Sequence, residues 1–434
     1  MNGNVKGNGE AGGGTATGAG ARVGAGAGRS VWRDANVLRW LAAYGSSLVG
    51  GGVYFLALGW AAAQTAGPAE VGLVMAVGAV PRALLMLGGG VVADRFGPRL
   101  VVISSDAVRC AVILGLALLA ALTSPGLWAL VLVALVFGVV DALFMPAVGA
   151  LPPRIAARGQ LVRVQGLRSL AERVGHTAGP PVAGLAMGLG GPAAAFGVAS
   201  ALFGLSLVLL LAVRISPSAG PAAAPDWGSS ETPWQQLRSG IGYIRGHGLI
   251  GPLVLSGALS QLGTSAPMTL GLILVAGDRG WGPAGVGWIV GGMGVGAAAS
   301  ALLLTLIPRF PRAGAVQNLT LIVGSAGIGA LVLAPNLAVA VALAVLTGLV
   351  CGICGGLAVA LIQTATDPAY LGRVSSVMAF TAVGLAPLAY PVFGFAAGLW
   401  GVTPVFLAGA AVSMAGAIVG TCAPAVRRAE LAFA

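Results

Sequence analysis

Seven ionisable side chains stand inside otherwise apolar stretches of the sequence: Arg82, Asp106, Arg109, Asp141, Arg168, Glu172 and Arg173, with His176 beside them. Arg168, Glu172 and His176 recur at every fourth position, so on a helix they share one face. Carboxylates and an imidazole can trade protons with water, while guanidinium groups supply fixed positive charge. Asp141 and Glu172 therefore have two readings. Either they load and unload a proton, or they are held in fixed ion pairs, Glu172 with Arg168 or Arg173 and Asp141 with Arg82. The stretches after residue 249 carry no such charge and offer Gln261, Asn318, Gln363 and Tyr390 instead. The first apolar stretch has no acid either, only Tyr44, Ser46, Ser47, Tyr54 and Gln64.

The elements that must hold these groups follow from composition. Of 434 residues 57% are apolar and 8% charged, against roughly 25% charged in globular proteins; the mean hydropathy is +0.94. Such a chain lacks the polar side chains to cover a water-soluble enzyme, and it is too apolar to be disordered. Its only lysine, Lys6, precedes Gly7, so no phosphate-binding Walker A loop exists and no lysine can form a Schiff base deep in the fold. What remains is a polytopic membrane protein. At about 20 apolar residues per crossing, twelve runs can be placed, at 37–62, 71–93, 100–122, 127–150, 165–187, 192–213, 249–275, 284–306, 315–333, 337–360, 375–397 and 402–424. In this setting an ionisable side chain at mid-bilayer costs about 2.5–3.5 kcal/mol on an insertion scale, so it persists only when paired, hydrated or used.

Charge alternates between the connections. One set carries Arg95, Arg99, Arg154, Arg158, Arg163, Arg214, Arg238, Arg245, Arg309, Arg312 and Arg373, and both tails match it; the other set carries Arg279 alone. The excess of basic residues on cytoplasmic loops puts both termini in the cytoplasm, and the net charge of +11 then reports topology, not nucleic-acid binding. The expected organisation is an all-α integral membrane protein of twelve helices in two six-helix halves: a disordered tail over 1–35, a first half over 36–214, a central loop over 215–248, a second half over 249–424 and a tail over 425–434. Residues 151–196 align without gaps on 361–406, with Arg163/Arg373, Val164/Val374, Pro181/Pro391, Gly184/Gly394 and Gly191/Gly401 among the matches, which sets the fifth span against the eleventh. In the central loop, Trp234 to Arg245 reads either as an amphipathic helix on the membrane surface or as a plain linker.

Two motifs carry a resemblance. After the second span stands Gly90-Val-Val-Ala-Asp94-Arg95-Phe96-Gly97-Pro98-Arg99, and the fifth span carries Gly166, Gly175, Gly179, Pro180, Ala183 and Gly184 at spacings that let helix backbones approach. The first resembles the loop 2–3 signature of the major facilitator superfamily, Gly-x-x-x-Asp-Arg-x-Gly-Arg-Arg/Lys, with Pro98 in place of one basic residue. The second resembles the antiporter motif of that superfamily's drug exporters, with Ala183 in place of a glycine. Leu38-Arg39-Trp40-Leu41, Ser105-Asp106-Ala107-Val108-Arg109 and Phe144-Met145-Pro146-Ala147 are similar to the secretion branch that includes siderophore exporters. The resemblance implies a latch from Asp94 to the positive end of the eleventh helix, favouring an outward-facing state. Asp106 and Arg109 stand close to the cytoplasmic end of their span and are expected to group with the Asp94/Arg95 network. The second-half counterpart, Pro308-Arg309-Phe310-Pro311-Arg312, has lost the Asp and the Gly.

Cys351-Gly-Ile-Cys354 has the spacing of a redox or metal motif but lies inside an apolar span with no second ligand pair, so it reads as small residues packing between helices. No metal and no cofactor is expected, and a proton gradient is the expected energy source. The expected protein is a transporter, not an enzyme, exporting a small, partly apolar organic compound by proton antiport. Its partners are that small molecule and the lipid bilayer, with no nucleic acid, and it is expected to be monomeric in the cytoplasmic membrane of a bacterium. Tryptophans and glycines lining a wide cavity would suit a bulky ligand. An uptake symporter, or a receptor or scaffold that transports nothing, are the alternatives.

Overall fold

The computed structural model describes residues 34–156, 160–213, 233–307, 309–310, 312–368 and 370–432. For 86–91, 93–94, 162, 233–234, 236–237, 309–310, 382–383 and 432 within them it describes the backbone alone. The tail over 1–33 and the Pro217 to Pro225 stretch lie outside the described residues.

The described chain is almost wholly helical: α1 (Ala35–Thr65), α2 (Pro68–Phe96), α3 (Pro98–Leu122), α4 (Leu127–Gly149), the short α5 (Pro152–Ile155), α6 (Leu161–Leu211), α7 (Pro233–Gly246), α8 (Ile250–Ala266), α9 (Leu272–Asp278), α10 (Gly282–Leu306), α11 (Ala313–Leu333), α12 (Leu337–Ala365), α13 (Leu371–Gly384), α14 (Ala386–Trp400), α15 (Val402–Cys422) and α16 (Pro424–Arg428). Apolar composition and length make eleven of the resulting runs long enough to cross a bilayer, with α8 and α9 joined through a π-turn over Pro267–Gly271 and α13 and α14 counted as one run. Leu122, Trp128, Leu189 and Trp400 sit on the outside, as expected of side chains that meet lipid.

The 51-residue α6 is not one rod. Gly190 and Gly191 leave helical geometry, and Gly191 has φ 66°, a left-handed angle that glycine adopts without steric cost. Packing against α1 shows what the break does. Gly175 and Gly179 of α6 meet Leu48 and Gly52, advancing with α1, whereas Ala199 to Phe203 pack on Gly50 and Ala212 lies by Arg39. The chain therefore reverses direction at Gly190–Gly191. The aligned position Gly401, between α14 and α15, has φ 85°.

Helices up to α6 pack mainly on one another, as do those from α8 onward. Two seams join the groups. A Cβ on Gly184 of α6 would lie 3.0 Å from Ala284 Cα of α10, and one on Gly394 of α14 would lie 2.5 Å from the Pro68 carbonyl of α2. Gly184 and Gly394 are the aligned pair of the internal repeat, so one motif, used twice, seals the end of the bundle remote from the start of α1.

At the other end the chain differs from expectation in two places. Residues expected to form a free tail after 424 fold back: α16 packs Val426 under α11, Ala429 O accepts from Gly314 N at 3.2 Å, and Leu431–Ala432 pair antiparallel with Arg309–Phe310. The central-loop segment forms α7 and packs on α13 and α8. Tyr243 stacks on Tyr370 at 4.3 Å and accepts a hydrogen bond from Asp367 N at 3.1 Å. It is thus a helix tied to protein, where the sequence left a linker or a membrane-surface helix open.

Candidate functional site

A cavity of about 590 Å³ lies between the two groups of helices, next to the seal. Its first wall comes from α1 to α6 and includes Arg82, Arg109, Asp141 and His176 beside Phe55, Phe137 and Phe144. Its second wall, from α8 onward, presents Gln261, Thr264, Ser265, Thr269 and Tyr390. Of the four second-half residues singled out in the sequence, Gln261 and Tyr390 reach the cavity; Asn318 is buried elsewhere, and Gln363 is exposed and does not line it. No tryptophan is among the lining residues; phenylalanine, methionine and aliphatic side chains such as Leu48, Ile273 and Val286 make the apolar surface.

The charged wall is a network. Arg82 Nε lies 3.0 Å from Asp141 Oδ2, and Arg109 Nη2 lies 2.7 Å from Asp141 Oδ1. Arg109 Nη1 is also 3.3 Å from Asp106 Oδ1. Ser206 donates to Asp106 Oδ2 at 2.5 Å, and Ser47 donates to Asp106 Oδ1 at 3.2 Å. The Arg109 guanidinium also lies 4.0 Å from the Phe144 ring centre, with Phe137 and Phe203 around it. Full burial of Asp106 is tolerable because each of its oxygens is hydrogen-bonded and its charge is countered.

This corrects the grouping of Asp106 and Arg109 with the loop around Asp94. Arg109 lies eleven residues into α3, about 16 Å along its axis at 1.5 Å per residue. At that depth its partner is Asp141, near the middle of α4. Of Gly90 and Asp94 only the backbone is described, so the Asp94 carboxylate lies outside the described structure. Of the rest of that motif, Arg95 is exposed, Gly97 has φ 83° and caps α2 and α3 alike, and Arg99 donates to Leu211 O at 3.2 Å, helping to satisfy the C-terminal carbonyls of α6.

Along α6 the four-residue spacing does bring side chains together. Arg168 Nε lies 3.1 Å from Glu172 Oε1, and the same oxygen accepts from Tyr44 Oη of α1 at 2.6 Å. His176, one turn on, faces the cavity. Arg173 points away, exposed, and joins no ion pair among the described residues. The glycine motif divides by neighbour: Gly175 and Gly179 admit α1, Gly184 admits α10, Ala183 is buried, Pro180 lines the cavity, and Gly166 meets nothing. Sequence reasoning missed Tyr44, Ser47 and Ser206 as partners of the carboxylates. Tyr44 and Ser47 stand three apart on α1 and so share a face, a spacing that signals a polar stripe but not its partners.

Elsewhere Arg279, the lone basic residue of its loop set, donates to the carbonyls of Val332 and Ala334 at the end of α11. Cys351 and Cys354 are free thiols, and Gln317 donates to Cys354 Sγ at 3.6 Å.

The model of the Major Facilitator Superfamily matches residues 40–386. The chain belongs to that superfamily. It is accordingly a multi-pass integral membrane protein of a transporter family whose members carry small molecules across membranes. Its relatives include the enterobactin exporter EntS of Shigella boydii serotype 18 and that of Escherichia coli O157:H7, each 27% identical over 290 residues, 67% of this chain and 68% of the relative. Among solved structures, the nucleoside transporter NupG superposes with a TM-score of 0.67 at 15% identity, covering 89% of this chain and 98% of that one. A bacterial homologue of the human lysosomal transporter Spinster, in an inward-facing and occupied conformation, superposes with a TM-score of 0.68 at 12% identity, covering 92% and 97%. These two likenesses establish the shared fold.

Proposed function

We propose that the protein exports a small, partly apolar organic compound, such as a drug, a secondary metabolite or a siderophore, from a bacterial cell in exchange for inward-moving protons. In this reading the chain crosses the cytoplasmic membrane twelve times, α6 supplying two crossings on either side of Gly190–Gly191. Both termini are cytoplasmic, which the arginine-rich loops support. The halves over 36–214 and 249–424 rock about the cavity by alternating access. The seal at Gly184 and Gly394 is then the outer gate, and the conformation is closed outward. The proton gradient drives the cycle and no cofactor is invoked.

The observation that carries this reading is the cavity with one charged wall, to which α2 and α6, the helices that also meet the second group at the seal, contribute Arg82 and His176. Glu172 is the proton carrier. It is the most exposed carboxylate of the set, its side chain 36% accessible against 13% for Asp141 and none for Asp106. Its partners are one arginine and one tyrosine, whereas Asp141 has an arginine on each oxygen. A proton on Glu172 weakens its hold on Arg168 and on Tyr44 of α1. Because Gly175, Gly179 and Gly184 lie further along the same helix, a change at Glu172 reaches the outer seal without an intermediary. His176, between Glu172 and the cavity, is placed to relay the proton. The likeness to proteins named as exporters supports the outward direction.

The test is expression in a bacterium stripped of its own drug and siderophore exporters, with cells and medium compared by mass spectrometry. At least one organic compound should be enriched in the medium with the wild-type chain and not with Glu172→Gln. Enrichment inside the cells instead would establish uptake, and no difference in either compartment would contradict transport of a cellular compound.

A further inference from the structure

We infer that the compound carried is an organic anion whose charged oxygens dock on Arg82, with its apolar part against Phe55, Phe137 and Met268. This rests on the reading of the cavity as the transport site, and narrows it. Arginine has five N–H donors in a rigid fork. On Arg82 only Nε is near a partner, Asp141 at 3.0 Å. Among the described residues nothing accepts from its two Nη nitrogens, and the side chain is 26% exposed on the cavity wall. Arg109 differs. Its Nη nitrogens are spent on Asp106, Asp141 and Ser47, and its side chain is 2% exposed. Arg109 Nε also lacks a partner but is buried, so of the two guanidinium groups at this depth Arg82 alone offers unused donors at the cavity surface.

The remaining lining residues fix the sign of the charge. Asp141 is the only carboxylate among them, and both its oxygens already face arginines. A cation entering the cavity therefore finds no free counter-charge. A carboxylate or other planar oxyanion finds a fork of matching geometry, in surroundings where an unmade hydrogen bond is costly. His176, which makes no hydrogen bond among the described residues, stands on the same wall. Tyr390 and Thr269 face it from the other group of helices and add neutral donors. Arg82 lies on α2 and Tyr390 on α14, the pair joined at Gly72 and Gly394, so a ligand held between them touches both halves beside the seal. Docking is a competition: the anion takes the guanidinium from Asp141 and leaves that carboxylate to Arg109. The cavity volume, about 590 Å³, falls in the range of small-molecule pockets.

The experiment is equilibrium binding to the purified full chain in detergent, with no gradient, so a failure of the export reading cannot mimic a failure here. The probes share one ring and differ in charge: 1-naphthoate, 1-naphthamide and 1-naphthylmethylammonium. Naphthoate should bind at least about tenfold more tightly than either. Arg82→Gln should reduce it to the level of the amide, while Arg82→Lys keeps part of the preference, with thermal melting showing that both variants fold. Equal or tighter binding of the amide or the ammonium, no measurable binding of naphthoate, or a charge preference that survives Arg82→Gln would each overturn the proposal.

Discussion

The two walls of the cavity hold themselves together by different means. Among the described residues, all four salt bridges lie in the helices up to α6. From α8 onward the interior is polar but neutral. Ser413 Oγ lies 3.1 Å from Ser260 Oγ and 2.7 Å from Ser325 Oγ, joining α8, α11 and α15 through hydroxyl groups. In a bilayer such contacts average about 0.6 kcal/mol each, enough to orient helices and insensitive to pH. Charged groups at the same depth are far more expensive to place. A fold that could be tied by hydroxyls alone on one side has kept a charged network on the other. That network lies where protonation can change the balance of forces. On the proposed reading, coupling belongs to the first group of helices, with support and neutral recognition left to the second.

The comparison can be broken most severely at its buried centre. Asp106→Ala leaves Arg109 without one of its two counter-charges; the loss of a buried partner costs on the order of 3–5 kcal/mol, so the melting temperature in detergent should fall steeply or folded protein should be lost. The matching change on the neutral side, Ser413→Ala, should cost only about 0.6 kcal/mol and leave melting nearly unchanged. Similar losses for the two would erase the distinction. A smaller but directed effect is expected at the outer gate. Gly184→Leu places a side chain where Ala284 now sits, and should increase labelling of a cysteine introduced at Met75 by an external thiol reagent; unaltered labelling would remove Gly184 from the seal. Asp94→Asn should slow transport by about tenfold or less, roughly the worth of one helix-end charge interaction, with melting unchanged; unaltered transport would remove the case for the latch. The smallest effect belongs to Gln261→Ala on the neutral wall, a change of about tenfold or less in apparent affinity, set by one neutral hydrogen bond, without any change in the pH profile. A shifted pH profile would mean that the second wall takes part in coupling.

Much of the fold was legible because apolar runs, arginine-rich loops and Gly/Pro turns are local signals. The repeat was legible too, and the left-handed φ at both Gly191 and Gly401 gives it a physical basis. The four-residue spacing put Arg168 and Glu172 on one helix face, and their pair was one of the readings open for Glu172, with Arg173 the other candidate partner. Asp141 with Arg82 was legible as one of two readings, from their mid-depth positions in the fourth and second spans. Arg109 was misplaced because nearness to the cytoplasmic end of its span points to the Asp94 loop, whereas its partner sits on another helix. Ser206 lies a hundred positions from Asp106, and no periodicity connects them. The folding back of the chain after Pro424 was hidden for a related reason: Val426 and Leu431 belong to a run too short to cross a membrane and broken by Arg427, Arg428 and Glu430, and only their docking near Gly314 and Phe310 gives them meaning.

The central claim is that proton coupling resides at Glu172, one helical turn from the cavity-lining His176. The most direct measurement uses membrane vesicles of known orientation carrying the wild type or Glu172→Gln, loaded with the compound found by mass spectrometry. Net movement driven by an imposed pH gradient is compared with exchange of labelled for unlabelled compound without a gradient. The account predicts that Glu172→Gln abolishes gradient-driven movement while exchange continues. Gradient-driven movement that persists in Glu172→Gln, with its dependence on pH intact, would contradict it.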